Sequence, residues 1–229
     1  MLAIIQARLS STRLPGKALL PLGKSAILGR CIERVSSAKR VSDILVATST
    51  EISDQAIVEF CLANNTSYHL GSLDNVVERL WGAAQSKKQK AFLRICGDSP
   101  FIDPKIIDEA ISIFSSTDFD LVTNVFPRSF PKGQSVEIIK TTALGRISKA
   151  MLSDEEREHA TSYFYNNHLK FKIGTIRKRG DYANSRHCID DKKDFSIAKR
   201  VIGSKDLNGL GWEAIEDLWI KASQSIIEN

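Results

Sequence analysis

A regular alternation of short apolar runs and amphipathic segments is the feature of this sequence that most restricts its fold. The apolar runs predict buried strands at Leu2–Ile5, Asp43–Thr48, Ser67–Leu70, Ala91–Ile95 and Leu121–Val125. Between these runs, apolar residues recur at helical spacing and predict helices at Ala26–Val35, Ile52–Leu62, Val76–Ala84 and Pro104–Phe114. Strands that alternate with helices in this way form a mostly parallel sheet with helices on both faces. The sequence therefore predicts an α/β fold.

The pattern changes after Phe126, where Pro127, Pro131 and Gly133 predict a loop. Beyond the loop we predict an extended segment, two helices, two late strands and a C-terminal helix, at Ser135–Ile139, Thr141–Met151, Asp154–Asn167, Phe171–Ile176, Arg186–Ile189 and Trp212–Ile227. The sequence contains no internal repeat and no linker long enough to divide domains. We therefore predict one domain over residues 1–229, with an insertion around residues 126–180.

Composition and charge exclude several classes of protein. Hydrophobic residues make up 42% of the 229 residues and charged residues 26%, the ordinary mixture of a soluble globular protein. The net charge of +5 suits a small polyanion, and no long basic run or aromatic-interleaved patch indicates nucleic-acid binding. No segment is long enough to cross a membrane, and the apolar stretch before Arg8 is too short for a signal peptide, so we expect a cytoplasmic protein. The cysteines form no Cys-x-x-Cys pair, which predicts free thiols and no zinc site.

A cationic loop follows the first predicted strand. The segment Ala7–Lys17 reads ARLSSTRLPGK and carries Arg8, Arg13 and Lys17 interleaved with serine and threonine hydroxyls. Such hydroxyls donate hydrogen bonds to phosphate oxygens, and arginine and lysine neutralise their charge, so the loop is a candidate polyphosphate site. It matches neither the Walker A pattern nor Gly-x-Gly-x-x-Gly. From charge alone, a solvated basic loop fits equally well.

Two acidic groups follow predicted strands. Asp98 lies between Gly97 and Pro100, just past the strand Ala91–Ile95. Ligands of open α/β sheets bind at the carboxyl ends of strands, and Mg²⁺ takes one or two carboxylates together with phosphates and water, so Asp98 is a candidate metal ligand. A turn-forming aspartate beside glycine is the alternative. The second group is Asp190 and Asp191, followed by Asp194, which we expect to cap the next helix rather than to bind metal.

Two further features receive structural interpretations. Asp118-Phe119-Asp120 has the Asp-x-Asp form that glycosyltransferases use for metal and nucleotide-sugar. It precedes a predicted strand, which puts it at the wrong end of the sheet, so we interpret it as the entry to that strand. We interpret His187 as a polar surface or core residue, since no nucleophile system surrounds it.

The loop Ala7–Lys17 resembles the signature of the cytidylyltransferases that make CMP-activated acidic sugars, in particular the SpsF branch. The resemblance extends from Leu2 to about Phe195. It includes Gly71–Arg79, Gly97-Asp98-Ser99-Pro100, Phe130–Glu137, Glu156–Thr161 and Arg186–Phe195. The chain departs from the family pattern where Asn75 and Ser135 stand in place of aspartate and Cys96 in place of threonine.

This resemblance implies a Rossmann-like nucleotide-diphospho-sugar transferase fold of the GT-A-like type. It implies Mg²⁺-dependent transfer of CMP from CTP to an acidic sugar of the nonulosonic or octulosonic acid type, with release of pyrophosphate, in surface polysaccharide biosynthesis. It also implies a homodimer, with the insertion around residues 126–180 bordering the acceptor pocket and the dimer interface. A phosphonate acceptor, a nucleotide-sugar-dependent glycosyltransferase of the same fold and a non-catalytic nucleotide-binding protein are the alternatives.

The resemblance also implies residue roles. Catalysis is expected from Lys17, Arg13 and Asp98. Nucleotide binding is expected from Ala7, Arg8, Ser11, Arg13, Lys17, Gly71, Ser72, Asp74, Arg79, Gly97 and Asp98. Acceptor binding is expected from Arg94, Gln134, Glu137, His159 and Arg186. Mg²⁺ is expected on Asp98 and Asp190, with Asp191 as the alternative second ligand.

Two physical expectations accompany these roles. Two carboxylates that share a site repel each other, so without metal the pKa of one of Asp98 and Asp190 should rise. The apolar run Val136–Ile139 should form an exposed strand edge that pairs with a second copy of the chain across a two-fold axis.

Overall fold

The computed structural model describes residues 1–150, 152–180, 182–204, 207 and 209–227. The strands in this part of the chain are β1 (Leu2–Gln6), β2 (Pro21–Leu22), β3 (Ser25–Ala26), β4 (Asp43–Ser49), β5 (Ser67–Gly71), β6 (Ala91–Cys96), β7 (Leu121–Thr123), β8 (Glu137–Lys140) and β9 (Ile173–Thr175). The α-helices are α1 (Ile27–Ser36), α2 (Gln55–Ala63), α3 (Val76–Ser86), α4 (Pro104–Ser116), α5 (Thr141–Ile147), α6 (Asp154–Glu158), α7 (Ser162–Asn166), α8 (Lys192–Ser204) and α9 (Trp212–Ile227). Short 3₁₀ turns lie at Lys17–Leu19, Ile52–Asp54 and His168–Lys170.

A mixed, mostly parallel sheet forms the centre of the protein and confirms the predicted fold class. Within the described residues it contains seven strands in the order β5-β4-β1-β6-β8-β7-β9. Strands β5, β4, β1 and β6 pair in parallel, whereas β8 pairs antiparallel with both β6 and β7. The chain leaves β1 for β4 and β5 and then returns to β6 on the other side of β1. Ligands of open α/β sheets bind at the carboxyl ends of strands at such a reversal.

Helices cover both faces of the sheet because successive side chains of a strand point to opposite faces. In β1, Ala3 and Ile5 belong to the apolar cluster that includes residues of α1 and α4. Leu2 and Ile4 belong to the opposite cluster, with residues of α3 and α5. All of these β1 side chains are buried, so β1 has the continuous apolar sequence of a strand covered on both faces.

A third apolar cluster connects the cationic loop to the C-terminal helices. Leu14 of the loop and Leu22 of the β2–β3 hairpin pack with Ile197 of α8 and Trp219 of α9. Phe101, which follows Asp98, also belongs to this cluster, and its ring meets that of Trp219 edge to face. The C-terminal helices therefore support the loop from behind.

The predicted strand Arg186–Ile189 is wrong. This segment makes one parallel bridge, between Lys132 and Arg186, and the backbone N–H of His187 donates to Lys132 O at 2.6 Å. The close approach depends on Gly133, whose φ is +95°. A Cβ there would lie 2.5 Å from the backbone nitrogen of Cys188, so the loop and the segment can meet only at glycine.

The predicted helix Asp154–Asn167 is two short helices, α6 and α7. A capping box between Ser153 and Glu156 starts α6, and the helix ends at Glu158, because the φ and ψ of the next residue, His159, are −102° and 80° and are not helical. The break directs Ala160 and Phe164 into the core. The helix predicted at Thr141–Met151 ends at Ile147, and Met151 lies outside the described residues.

The exposed strand edge predicted at Val136–Ile139 is also wrong. Strand β8 lies between β6 and β7 and pairs with both, so neither of its edges is available to a second chain. Its apolar residues serve the core of the sheet, because Ile138 and Ile139 are fully buried.

Two further predictions concern membrane helices and cysteines. No helix in the described part of the chain is long and apolar enough to span a bilayer. All of the cysteines are free thiols, as the spacing predicted: Cys31, Cys61, Cys96 and Cys188.

Candidate active site

A cleft of about 460 Å³ lies at the carboxyl ends of β1 and β6, a size that suits a small ligand. Its lining contains many of the residues that the sequence predicted: Ala7, Arg8, Ser11, Arg13, Lys17, Arg79, Arg94, Gly97, Asp98 and His159. The Gly97-Asp98 turn lies against the end of β1, where the cationic loop begins, since the backbone N–H of Gly97 donates to Gln6 O at 2.9 Å. The topological reversal of the sheet therefore coincides with the cationic cleft.

Asp54 holds the start of the cationic loop, a role that no motif of the sequence indicates. Its carboxylate is fully buried and accepts hydrogen bonds from the backbone N–H of Leu9 at 2.7 Å and from Ser49 Oγ at 2.5 Å. The other end of the loop folds back where Gly16 N–H donates to Leu9 O at 3.0 Å. Gly16 adopts a φ of +70°, which favours glycine at this turn. These bonds fix the loop against the end of β4.

Lys17 lies between Asp98 and Asp190 and contacts both. The Nζ atom of Lys17 donates to Asp98 Oδ2 at 2.6 Å, to Asp190 Oδ1 at 3.0 Å and to the backbone oxygen of Ile189 at 3.0 Å. The Ile189 N–H in turn donates to the backbone oxygen of Asp98 at 2.9 Å. The two carboxylates, far apart in sequence, thus converge on one point at the same edge of the sheet.

Lys17 also changes the electrostatics that we expected for two close acids. Burial tends to raise the pKa of Asp190, but the hydrogen bond and charge of Lys17, together with the charges of Arg13 and Arg186, hold that pKa below its ordinary range. Burial likewise tends to lower the pKa of Lys17, and the two carboxylates more than offset it, so the net shift is upward. The expected rise in a carboxylate pKa is therefore wrong for Asp190, because a cation lies between the acids.

The structure distinguishes among the three acids that follow Ile189. Asp190 faces Lys17 and also lies 3.4 Å from a guanidinium nitrogen of Arg13. Asp191 accepts from the backbone N–H of Asp194 at 2.9 Å, so Asp191 occupies the capping role at the start of α8 that we expected of Asp194. Asp194 instead accepts from the backbone N–H of Asp190 at 2.9 Å. Asp190 is therefore the acid of this segment that shares a point with Asp98.

Arg186 supports Asp190 and is absent from the described residues that line the cleft. Its NH1 atom lies 3.4 Å from Asp190 Oδ2 and 3.1 Å from Asp194 Oδ2. Asp190 follows Arg186 by four positions in the chain and Asp194 follows it by eight. These contacts orient the segment before α8, and the structure gives no support for direct acceptor binding by Arg186.

The start of α3 contributes Arg79 to the cleft. The helix is capped by Asn75, which accepts from Glu78 N–H. Arg79 is 2% exposed and donates from NH1 to the backbone oxygens of Ser72 and Leu73. Its Nε has no hydrogen-bond partner among the described residues. Among the described residues of this segment, Gly71, Ser72 and Asp74 do not line the cleft, whereas Val76 and Arg79 do.

A buried ion pair lies beneath the cleft. Arg94 NH1 donates to Glu137, Tyr165 Oη donates to the same carboxylate, and Arg94 Nε donates to Gln6 Oε1 at 2.9 Å. Burial tends to raise the pKa of Glu137, but the charge of Arg94 and the hydrogen bonds of Tyr165 and Thr161 lower it overall. Arg94 lines the cleft, whereas Glu137 is 2% exposed and holds Arg94 from below.

Gln134 lies outside the cleft and serves the core instead of an acceptor. It is fully buried, accepts from the backbone N–H of Asp103 at 2.8 Å and donates to Phe101 O at 2.8 Å. Its amide nitrogen also lies 3.1 Å from Nδ1 of His187, which is itself fully buried. The predicted acceptor role of Gln134 is therefore unsupported. Of the two places that we considered for His187, the surface and the core, the structure shows the core.

Arg8 is paired with an acid that the sequence analysis did not select. Its NH2 atom lies 2.5 Å from Oε1 of Glu158, at the end of α6, and both residues line the cleft. His159, the next residue, also lines it. The predicted insertion around residues 126–180 therefore reaches the cationic loop through α6.

The Asp-x-Asp segment lies far from this chemistry. Asp118 pairs with Lys140 at 2.6 Å, and Asp120 pairs with Arg146 at 3.0 Å. Both acids precede β7, which runs in the same direction as β6, so they lie at the opposite end of the sheet from Asp98. The structure agrees with their interpretation as a strand entry.

The oxygens around Lys17 Nζ fit a hard divalent cation. The described residues contain no group of three or more histidine, cysteine or acidic residues that could hold a metal. Two carboxylates and a backbone carbonyl nevertheless face one point, at Asp98, Asp190 and Ile189. Mg²⁺ is commonly held by one or two carboxylates, with substrate phosphates and water completing its shell. The residues present therefore match a metal that binds together with a phosphate.

Comparison with known proteins identifies the family. A family model described as cytidylyltransferase matches residues 2–221, almost the whole chain. The chain belongs to the cytidylyltransferase family. It is accordingly a CTP-dependent nucleotidyltransferase, and the glycosyltransferase and non-catalytic alternatives are set aside.

Individual relatives of this cytidylyltransferase agree over most of their length. It is 30% identical to the spore coat polysaccharide biosynthesis protein SpsF of Bacillus subtilis over 210 residues, which cover 88% of this chain and 85% of the relative. A cytidylyltransferase structure from Leptospira borgpetersenii superposes with a TM-score of 0.91 at 32% identity, covering 100% and 97% of the two chains. The structure of a CMP:2-keto-3-deoxy-manno-octonic acid synthetase complexed with CTP shares the fold, with a TM-score of 0.68 at 16% identity and coverages of 88% and 98%.

Proposed function

We propose that this cytidylyltransferase transfers CMP from CTP to a small acidic sugar of the nonulosonic or octulosonic acid type, with release of pyrophosphate, in surface polysaccharide biosynthesis. The observation that carries the proposal is the convergence of Asp98, Asp190 and Lys17 beside the cationic loop. The similarity to SpsF and to a CMP-sugar acid synthetase supports the acceptor class. A phosphonate acceptor is the second candidate.

The cationic loop accounts for triphosphate binding. Arg8, Arg13 and Lys17 lie on one side of the cleft, with Ser11 in the same lining. Arginine and lysine form charge-assisted hydrogen bonds to phosphate oxygens, and these strengthen as charge develops on a leaving pyrophosphate. Arg13 is well placed to adapt to a ligand because its side chain is 64% exposed.

Asp98 and Asp190 would hold Mg²⁺. A bound Mg²⁺ there would neutralise phosphate charge and polarise the reacting phosphoryl group. The chain's own contribution is positional. The backbone bond between Ile189 and Asp98 keeps the two acidic segments together, and Asp194 and Arg186 orient Asp190.

Transfer then requires little covalent chemistry from the protein. An oxygen of the acceptor attacks the α-phosphorus of CTP in line, the bond to the bridging oxygen of pyrophosphate breaks, and no enzyme nucleophile takes part. The residues at the cleft bind, orient and stabilise charge. Arg94 and His159 line the same cleft and are our candidates for contact with an acidic acceptor, with Arg94 held in place by Glu137.

Arg79 is our candidate for contact with the nucleoside part of CTP. Burial and the like charges of Arg8 and Arg94 lower its pKa to about 10, against a smaller opposing effect of Asp54. A buried guanidinium with an unpaired Nε gains most from a ligand that offers an acceptor oxygen. We expect Arg79→Met to weaken CTP binding, measured by calorimetry, and an unchanged affinity would remove Arg79 from this role.

A screen for pyrophosphate release tests the proposal. Each of the four nucleoside triphosphates, with Mg²⁺, is combined with a panel of sugar acids and phosphonates. We expect turnover with CTP and at least one sugar acid, and weaker binding of UTP, ATP and GTP, since an unpaired polar group costs about 1–3 kcal/mol. If CTP turns over with a phosphonate and with none of the sugar acids, the acceptor is a phosphonate and not a sugar acid. Turnover that prefers another triphosphate, or equal affinity for all four, would contradict the proposal.

We also propose that the enzyme is a homodimer, on the resemblance of its insertion to that of the family rather than on the strand-edge argument. The exposed Leu169, 92% accessible in the 3₁₀ turn His168–Lys170, lies in that insertion. Light scattering at micromolar concentration tests this, and a monomer mass would contradict it.

A further inference from the structure

Lys17 occupies the point on which the proposed metal ligands converge. Its ammonium group lies within 2.6–3.0 Å of three oxygens, two from carboxylates and one from a backbone carbonyl. This is the oxygen set that a hard cation takes. The Lys17 side chain is only 15% exposed, so its ammonium group is held between the acids and is largely shielded from solvent.

An ammonium and a divalent cation cannot share this point. Like charges a few ångströms apart repel strongly at the effective dielectric constant of a protein surface, and a divalent cation doubles the repulsion of a single charge. A metal can therefore reach both Asp98 and Asp190 only if Lys17 leaves. The lysine side chain can do this, because its flexible stem lets the ammonium move without a change in the backbone.

We propose that Lys17 keeps the metal position closed in the nucleotide-free protein, and that the triphosphate opens it by drawing the ammonium to its own oxygens. The inference rests on the proposed function, since it takes Asp98 and Asp190 as ligands of one metal. Lys17 thereby has two partners in turn, the carboxylates before substrate binds and the phosphates afterwards. Metal binding becomes dependent on nucleotide, and the protein alone has little affinity for the metal.

Contacts other than those of Lys17 also hold the two acids together. Removal of the Lys17 ammonium group therefore tests whether Lys17 closes the metal position. The backbone bond from Ile189 to Asp98 and the contacts of Asp190 with Asp194 and Arg186 remain when the ammonium is absent. Removal of Lys17 should therefore expose a formed pair of carboxylates.

The experiment measures binding of Mn²⁺ alone, without nucleotide, from the electron paramagnetic resonance signal of the free ion. We expect Lys17→Met to bind Mn²⁺ at least about tenfold more tightly than the wild type, because a neighbouring positive charge has gone. Lys24→Met, which removes an exposed lysine of the nearby β2–β3 turn, is the matched control and should bind as the wild type does. Lys17→Gln should repeat the gain if Lys17→Met does not fold.

The origin of the gain is tested in the double variant Lys17→Met with Asp190→Asn, which should lose it. In the wild type, a non-hydrolysable CTP analogue should raise Mn²⁺ binding to at least that of Lys17→Met, beyond the Mn²⁺ that the same concentration of analogue binds without protein. Wild type that already binds Mn²⁺ as tightly as Lys17→Met, no gain in either Lys17 variant, or a gain that survives Asp190→Asn would each overturn the inference. If Lys17→Met binds Mn²⁺ more tightly but the wild-type enzyme fails the pyrophosphate screen, the role of Lys17 at the metal position stands and the proposed function fails. If the wild-type enzyme passes the screen but Lys17→Met shows no gain in Mn²⁺ binding, the role of Lys17 alone fails.

Discussion

His187 Nε2 lies 2.6 Å from Glu216 Oε2, and this contact joins the segment that carries Asp190 to helix α9. His187 is fully buried, and Glu216 also accepts from Ser185 Oγ at 2.6 Å. The hydrogen bond from His187 is the main reason why the pKa of Glu216 lies below its ordinary value. Among the described residues, the segment before α8 has no strand pairing beyond one bridge, so these side-chain contacts add to a few backbone hydrogen bonds in holding it.

The first prediction concerns this contact. Glu216→Ala leaves a buried imidazole without its partner, which should lower the free energy of unfolding by about 1–3 kcal/mol. The measurement is urea denaturation at neutral pH. Asp217→Ala, an exposed acid on the same helix, is the control and should change stability little. Equal stability of Glu216→Ala and Asp217→Ala would show that the contact does not hold the segment.

A larger effect is expected at the buried pair Arg94 and Glu137. Glu137→Gln removes the charge that compensates Arg94 and should cost about 3–5 kcal/mol of stability, since a buried charge left without its partner is strongly unfavourable. Denaturant unfolding checks this, with Glu59→Gln on the exposed face of α2 as the control. A loss no greater than that of Glu59→Gln would mean that Arg94 finds another partner.

The same pair predicts how stability depends on pH. The pKa of Glu137 in the folded protein lies below its ordinary value of 4.5, because Arg94, Tyr165 and Thr161 outweigh the effect of burial. The stabilisation is therefore fully present above pH 4.5 and is lost as the pH falls through the folded-state pKa. Unfolding free energies measured between neutral and acidic pH should fall less steeply below this point for Glu137→Gln than for the wild type. Parallel curves would contradict the assignment.

Release of Arg8 should strengthen nucleotide binding. Arg8 is paired with Glu158, and this pair is partly exposed, so it holds Arg8 by no more than about 1 kcal/mol. Glu158→Gln frees the guanidinium and removes a negative charge from the cleft, and the KM for CTP should fall by up to about fivefold. Glu155→Gln, an exposed acid on the same helix, is the control. A rise in KM would show that Glu158 aids binding instead.

Much of the site could be predicted from the sequence where its residues belong to contiguous motifs. Lys17 and Asp98 each follow a strand with a clear apolar run. The sequence therefore predicted that both residues lie at the carboxyl end of the sheet, and their charges predicted a site for phosphate and metal there. Asp190 was found by resemblance, and the choice between it and Asp191 needed the structure, because the capping contact of Asp191 depends on where α8 begins.

The residues that were missed act through tertiary contacts. Asp54 lies in an ordinary helix start, and only the fold brings its carboxylate to Leu9. Glu158 meets Arg8 across 150 positions of the chain. The segment Arg186–Ile189 has the composition of a strand, but it lies against the loop at Gly133, and within the described part of the chain it pairs through one bridge and not through a ladder. Local periodicity carries no information about such partners.

The central claim is that Asp98 and Asp190 act as one unit on the reacting phosphate, and a double-mutant cycle tests it most directly. The measurement is the steady-state rate of pyrophosphate release from CTP and Mg²⁺, with the acceptor found by the screen, for Asp98→Asn, Asp190→Asn and the combined variant. We predict that each single change lowers kcat by roughly a hundredfold or more, and that the combined variant is about as slow as either alone. Full activity in either single variant, or losses that multiply in the combined one, would contradict the account.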